Sequence, residues 1–318
     1  MEFNIVFGID NNYVPHLAVC IQSLLENNSA KTFHFFVLSL NISSSNKKTL
    51  QNWLINQKQE ITFIDVDNST IKKFPIRQND YISPASYLKL FISELLPLNV
   101  SKALYVDGDI VFNGPISDLF NTDISNYATA AVEDAPNNNP SRLGYDDKFS
   151  YFNAGIQLLN IDYLRQINFT ERALDYIEKN HERIIYHDQD VMNAILYGKV
   201  FFLPIKWNML DCYYVRPLQI ADKYKNKIKS LKKDASVIHF SGRLKPWHYG
   251  CRHPLKGLYK RQEKKLPFNV QIDRWEGVKK YPPMMRVVVL FGYPWAFFVF
   301  VNSLIKKFKR ATQKRLAK

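Results

Sequence analysis

The stretch Ala103-Leu104-Tyr105-Val106-Asp107-Gly108-Asp109 decides how the rest of the chain is read. An apolar run of strand character stops on two carboxylates separated by a glycine. A strand ending this way presents both carboxylates at a sheet edge, where a hard divalent cation finds oxygen ligands. Taken alone, the same triplet also reads as a surface turn. A third ligand of suitable type lies far downstream, His239 in Val237-Ile238-His239-Phe240-Ser241-Gly242-Arg243-Leu244-Lys245-Pro246-Trp247, with a lysine following at Lys245. Two aspartates and an imidazole suit Mg2+ or, better, Mn2+, and leave about three of six positions open to other ligands.

Outward from this stretch, strands and helices alternate. Phe3 to Asp10 reads as a buried strand, and Pro15 suits the first turn of a helix in which Leu17, Ile21, Leu24 and Leu25 form one apolar stripe. Phe33 to Leu38, Ile61 to Val66 and Ala103 to Val106 read as further strands, with helices expected over Ser44–Gln57 and Tyr87–Leu96. Such alternation predicts an α/β fold with a mostly parallel sheet covered on both faces, and ligands at the carboxyl ends of its strands. Asp10 and Asp107 both fall at such ends. Beyond Asp109 the pattern mixes: strands over Ala128–Val132 and Ala154–Leu159, helices over Tyr163–Asn180, Asp188–Tyr197 and the lysine-rich Ile220–Lys233, the last read as a solvated face.

A chain of 318 residues, 46% hydrophobic and 23% charged, can bury a large core and is not disordered in composition. Cys20, Cys212 and Cys251 have no paired spacing, so neither a disulfide framework nor a zinc cage is expected, and a reducing cytosol is. The N-terminus reads directly as a strand, without the pattern of a secretory leader. The formal charge of +14 is unevenly spread: residues 251–318 carry 17 Lys and Arg against 3 Asp and Glu, and residues 1–250 carry 26 of each. A neutral body disfavours nucleic acid, whose recognition needs cations arrayed over the folded surface. The basic tail needs its own account. Val287 to Val301 holds no charge, and Lys306 to Lys318 holds seven basic residues and no acidic one. Fifteen uncharged residues interrupted by Gly292 and Pro294 are shorter than the roughly 20 a membrane-spanning helix needs. Aromatic residues beside lysines fit a membrane interface with anionic headgroups, so a peripheral attachment is expected; a core helix with a solvated tail is the competing reading.

Other positions carry chemistry. Gly242 lets backbone approach a ligand closely and Lys245 can neutralise a phosphate, unless the pair is merely a turn with a solvated lysine. Tyr151-Phe152-Asn153-Ala154-Gly155-Ile156 sets an amide before two small residues at a strand. His187-Asp188-Gln189-Asp190 opens a helix with polar groups that either cap it or face a ligand.

Five segments together resemble the retaining glycosyltransferases of the galactosyltransferase/glycogenin family, most closely the bacterial lipopolysaccharide glucosyl- and galactosyltransferases. They are Phe7-Gly8-Ile9-Asp10-Asn11-Asn12-Tyr13, Leu104 to Asp109, Tyr151 to Gly155, Asp188-Gln189-Asp190, and His239 to Trp247. The resemblance spans roughly residues 3–250 in the family's order. It implies a GT-A fold, Rossmann-like with a mostly parallel central sheet flanked by helices, over residues 1–265. A basic, aromatic, membrane-associating extension follows over residues 266–318.

It further implies a UDP-sugar donor and a Mn2+ or Mg2+ ion on Asp107, Asp109 and His239. Nucleotide contacts fall to Gly8, Ile9, Asp10, Asn12 and Tyr13, diphosphate contacts to Gly108, Gly242 and Lys245, and donor-sugar contacts to Asn153, Ala154, Asp188 and Gln189, the last two also as catalytic residues. Lys89 stands where the family has arginine, keeping the charge and losing the forked geometry. Asp134 matches a donor-sugar aspartate, with Glu133 beside it offering a second register. The implied activity is α-retaining transfer of glucose or galactose from UDP to the lipopolysaccharide core, by a peripheral protein on the cytosolic face of the inner membrane. The alternatives are a same-fold transferase acting on a capsule, glycoprotein or glycogen-primer acceptor, and a non-catalytic basic membrane-binding protein.

Overall fold

The computed structural model describes residues 2–71, 74, 75, 83–134, 140–215, 222–279, 281, 283, 286, 289 and 290. Three parallel strands form its first half: β1 (Glu2–Asp10), β2 (Thr32–Leu40) and β3 (Glu60–Asp65). β1 and β2 pair in unbroken register from Glu2↔Thr32 to Asp10↔Leu40. Side chains alternate across a strand, so odd and even residues of β1 enter different cores. Phe3, Ile5, Phe7 and Ile9 meet Leu17, Ile21 and Leu24 of the helix Val14–Asn27. Val6 points the other way, to Tyr87, Leu88 and Ile92. Both faces being covered explains why the strand is apolar at nearly every position. Each such large side chain contributes about 1.5–3 kcal/mol by leaving water.

After β3 the chain crosses back to the far side of β1, where β4 (Lys102–Val106) pairs parallel through Ile5↔Leu104 and Val6↔Tyr105. β6 (Thr129–Glu133), β7 (Phe152–Asn160) and β8 (Val200–Phe202) complete a seven-stranded sheet in the order β3-β2-β1-β4-β7-β6-β8. Only β7 runs against its neighbours β4 and β6. The sheet order reverses at β1 and β4, so a crevice opens between their carboxyl ends, where Asp10 and Asp107 sit.

A second, small sheet delivers His239. β5 (Ile110–Phe112) starts immediately after Asp109 and pairs antiparallel with β10 (Val237–His239), whose other neighbour is β9 (Met209–Leu210). The register sets His239 opposite Ile110 and beside Leu210, and Phe240 N–H donates to Asp109 O at 3.1 Å.

Three helices differ from expectation. Tyr87–Leu96 is a 3-10 helix, Pro84–Phe91, running into a short α-helix, Ile92–Leu95, with the Ser83 hydroxyl accepting from Ala85 N–H. This tight helix lies against the end of β1: a Cβ on Gly8 would stand 3.1 Å from Leu88 Cβ and 3.3 Å from Ala85 O. Tyr163–Asn180 divides into Ile161–Gln166 and Phe169–Lys179 at Asn168, whose φ of 51° is left-handed, a conformation asparagine tolerates better than most residues. The lysine-rich segment forms two short helices, Asp222–Lys225 and Ile228–Lys233, with no fully buried residue in the second; Ile220 lies outside the described residues.

Near the C-terminus the helix Lys256–Glu263 packs its buried Tyr259 and Gln262 inward. Residues 266–279 also return to the body. Phe268 meets Trp53 edge-on at 5.6 Å, and Tyr249 N–H donates to Arg274 O at 2.8 Å. Packing against the body therefore continues past position 265. No helix among the described residues is long and apolar enough to cross a membrane. The uncharged stretch 287–301 lies outside them except at 289 and 290, and the basic stretch 306–318 lies outside them entirely.

Candidate active site

Three atoms that could hold a cation converge at the crevice. His239 Nε2 stands 3.2 Å from Asp109 Oδ1 and 4.0 Å from Asp107 Oδ2, and one atom from each residue falls within 4.8 Å of the others. The second oxygen of each carboxylate is held from behind. Asp107 Oδ1 accepts from Tyr105 OH at 2.8 Å and from Lys89 Nζ at 3.3 Å. Asp109 Oδ2 accepts from Lys245 Nζ at 2.5 Å, a lysine that also donates to Phe240 O at 2.8 Å. Asp109 Oδ1 is buried and has no hydrogen-bond partner, although His239 is close. A buried carboxylate oxygen without a donor is costly, and a cation between these three atoms would remove that cost. The donor set fits the Mn2+ or Mg2+ that the sequence predicts.

The two carboxylates are electrostatically unlike. Burial raises the Asp107 carboxyl, Lys89 pulls it back, Asp109 pushes it further up, and the net direction is upward. Burial also opposes ionisation of Asp109, yet the Lys245 ammonium, and His239 whenever its ring is protonated, outweigh it and hold that carboxyl well below the usual carboxylate range. Glycine at 155 makes the approach possible. A Cβ there would lie 2.2 Å from His239 Cε1 and 3.0 Å from Asp107 Oδ2.

Beside this cluster lies a pocket wall of amides and one lysine. Lys89, 2% exposed, pairs with Asp188 Oδ2 at 2.7 Å and donates to Ala154 O at 3.1 Å. Its burial would lower the ammonium's pKa; Asp107 and Asp188 outweigh that and raise it. Asp188 is thus in the first turn of the helix His187–Leu196 but is no N-cap; its partner is Lys89. Gln189 Oε1 accepts from Asn153 Nδ2 and from Ala154 N–H, each at 3.0 Å. Gln189 Nε2 donates to Asp134 Oδ2 at 2.7 Å and to Tyr151 OH at 3.1 Å. At the end of β6, Asp134 thus faces Gln189, while Glu133 pairs with Lys223.

At the end of β1, Asp10 accepts from Asn12 N–H at 2.9 Å and Tyr13 N–H at 3.3 Å, and its other oxygen accepts from Ser83 OH at 2.5 Å. Ile9 buries its side chain in the core, leaving only its backbone at the crevice. The Tyr13 ring covers Gly108 and meets Trp247 edge-on at 5.8 Å. Gly242 lies against the Asp211 carboxylate, 2.5 Å from where a Cβ would be. Lys245 is bound to Asp109 and the Phe240 carbonyl rather than extended from a solvated turn.

Asn208 has a place here without any signal in the sequence, and Asp190, which the sequence marks only as part of a polar helix start, has an anchoring role that the sequence does not show. Asn208, 0% exposed, bridges His239 and Asn153. Asp190, also fully buried, collects Arg142 at 2.8 and 2.5 Å, Tyr151 OH at 2.6 Å, and the N–H groups of Ile185 and Tyr186 at 2.6 and 2.7 Å. Its donors come from three segments, at Arg142, Tyr151 and the adjoining Ile185 and Tyr186, of which the first two are distant in sequence.

A mostly parallel sheet with paired aspartates and a histidine at its reversal point is the arrangement of a GT-A glycosyltransferase. The chain belongs to Glycosyl transferase family 8, which it matches over residues 4–251. It is 29% identical to the lipopolysaccharide 1,2-glucosyltransferase of Escherichia coli strain K12 over 262 residues, 81% of this chain and 76% of that protein. It is 25% identical to the lipopolysaccharide 1,3-galactosyltransferase of Salmonella typhimurium, over 84% of this chain and 80% of that one. Among solved structures it resembles the galactosyltransferase LgtC, determined with donor and acceptor sugar analogs. The TM-score is 0.76 at 25% identity, covering 88% of this chain and 100% of that chain.

Proposed function

We propose that this chain transfers a hexose, glucose or galactose, from a UDP-sugar to the lipopolysaccharide core, with retention at the anomeric carbon. The observation that carries the reading is the convergence of Asp107 Oδ2, Asp109 Oδ1 and His239 Nε2 beside the Gln189 pocket. The donor and acceptor classes are argued from the relatives that act on lipopolysaccharide.

Asp107, Asp109 and His239 would hold Mn2+ or Mg2+, whose charge would neutralise the diphosphate as it leaves. Gly8, Ile9, Asp10, Asn12 and Tyr13 would line the nucleotide side, and Gly108 and Gly242 would let backbone approach the diphosphate. Lys245 holds Asp109 ionised and adds a second positive centre beside the leaving group.

Neither Gln189 nor Asp188 is a free nucleophile. Both lone pairs of Gln189 Oε1 accept N–H groups, and both of its amide hydrogens are donated. Asp188 is engaged with Lys89. Attack by the acceptor hydroxyl on the face the diphosphate leaves fits this better than a covalent intermediate, its proton passing to a departing phosphate oxygen. The amide dipole of Gln189 then supports an oxocarbenium-like state electrostatically.

Incubation of the protein with UDP-glucose or UDP-galactose, Mn2+ and truncated lipopolysaccharide tests this. One α-linked hexose is expected, read by NMR of the product. A β-linkage, or no transfer from either donor, would overturn it. The part that touches the membrane is proposed to lie beyond residue 279, because residues 266–279 pack on the body.

A further inference from the structure

We infer that Asn208 is a positioning residue: it sets the tautomer of His239 and ties the cation pocket to the donor-sugar pocket through a chain of amides with a single polarity. The polarity follows from two backbone donors. Gly155 N–H donates to Asn153 Oδ1 at 3.0 Å, and Ala154 N–H donates to Gln189 Oε1 at 3.0 Å. A backbone N–H only donates, so both of those side-chain atoms are oxygens whichever way the amides are drawn.

The rest is forced in turn. The amino group of Asn153 faces Gln189 Oε1, and Asn153 Oδ1 takes its second donor from Asn208 Nδ2 at 2.8 Å. The atom of Asn208 that lies 3.0 Å from His239 Nδ1 is therefore its oxygen, which only accepts. His239 consequently carries a proton on Nδ1 and turns Nε2 toward the aspartates. Asn208 and His239 are 0% and 4% exposed, so no bulk water competes for these bonds. At the far end the chain runs out into Asp134 Oδ2 and Tyr151 OH. A lone pair aimed at two carboxylates is repulsive alone and attractive once a cation lies between them. Two backbone amides of β7 thereby dictate which nitrogen of a distant histidine is free to bind metal.

The coupling to sugar rests on reading Asn153 and Gln189 as the donor-sugar pocket; the cation half does not. Three measurements on the full chain separate them. In metal-free wild type, 15N NMR of His239 should show a protonated Nδ1 and a bare Nε2 at alkaline pH. Mn2+ binding, followed by the EPR signal of free Mn2+, should weaken 10–100-fold in Asn208→Leu, the range typical for removing the partner of a ligand histidine. Asn208→Asp can still accept from His239 but opposes an acceptor to Asn153 Oδ1. It should bind Mn2+ within about threefold of wild type while kcat for donor turnover falls about 10-fold or more.

A bare Nδ1 in wild type, or unchanged Mn2+ affinity in a folded Asn208→Leu, would overturn the positioning role. Unchanged kcat in Asn208→Asp would overturn the coupling. If the leucine variant does not fold, the wild-type spectrum decides the tautomer. If the protein turns over no UDP-sugar at all, the proposed function fails while the spectrum and Mn2+ titration still judge Asn208.

Discussion

Asp107 and Asp109 are near-identical in sequence and differ in what stands behind them. Replacing either by alanine removes a ligand atom and should lower kcat at least ~100-fold, the scale on which losing one key electrostatic group is felt. Near-normal turnover in either variant would refute the cation assignment. Stability should separate the two. Asp109→Ala leaves Lys245, 6% exposed, without its carboxylate, which costs about 3–5 kcal/mol for a buried ion. Asp107→Ala leaves Lys89 still paired with Asp188 and should cost clearly less, as urea unfolding would reveal. The spacing of the two aspartates was legible in the chain; their unequal anchoring was not, because Lys89 and Lys245 reach them from other elements.

Elements, more than individual ligands, make the pocket. β7 runs against β4 with Val106 paired to Ile156, so Gly155 falls directly beside Asp107, whose N–H donates to Gly155 O at 2.8 Å. The two positions before it carry Asn153 and Ala154, both bonded to Gln189 Oε1. Gly155→Ala should leave the sheet folded, since alanine tolerates an extended strand, but force the His239 ring out of place, because the added Cβ would lie only 2.2 Å from His239 Cε1. Loss of Mn2+ affinity with an almost unchanged melting temperature is the expected pair of results. Unaltered affinity would mean that the ring position is not what the pocket needs. Continuous apolar runs located β1, β2, β3, β4, β6 and β7, and missed the short β5, β8 and β9. Helix ends were less legible: the division at Asn168 and the 3-10 form of Pro84–Phe91 depend on tertiary contacts that local propensity does not encode.

At the scale of the whole molecule, buried histidines set the acid limit of stability. His253, 2% exposed, has its pKa lowered to about 4 by burial and by nearby Lys232. His16 is lowered well below the ordinary value by burial and by His248. An unfolded histidine titrates near ~6.5, so between there and pH 4 the unfolded chain binds protons that the native state refuses. Stability should therefore fall as pH drops through that window, by roughly 3 kcal/mol from His253 alone. Urea midpoints at pH 7 and pH 5 measure this, and His253→Gln should flatten the slope; an unchanged slope would show the residue titrates normally. The tail makes a separate prediction. Full-length protein should sediment with anionic lipid vesicles at low salt, and a chain ending at residue 280 should not. Equal sedimentation of both would remove the tail from membrane attachment.

The chain alone determined the alternation of strands and helices, the mostly parallel sheet, the carboxylates at a strand's end, and the separation of a neutral body from a basic tail. These are local matters, written in apolar periodicity and in the composition of contiguous stretches. The folded molecule decided what lies behind each ligand: the lysine on each aspartate, the space left by Gly155, and Asn208 between His239 and Asn153. Such partners are far apart along the chain and chemically ordinary, so nothing distinguishes them until strand register brings them within hydrogen-bond reach.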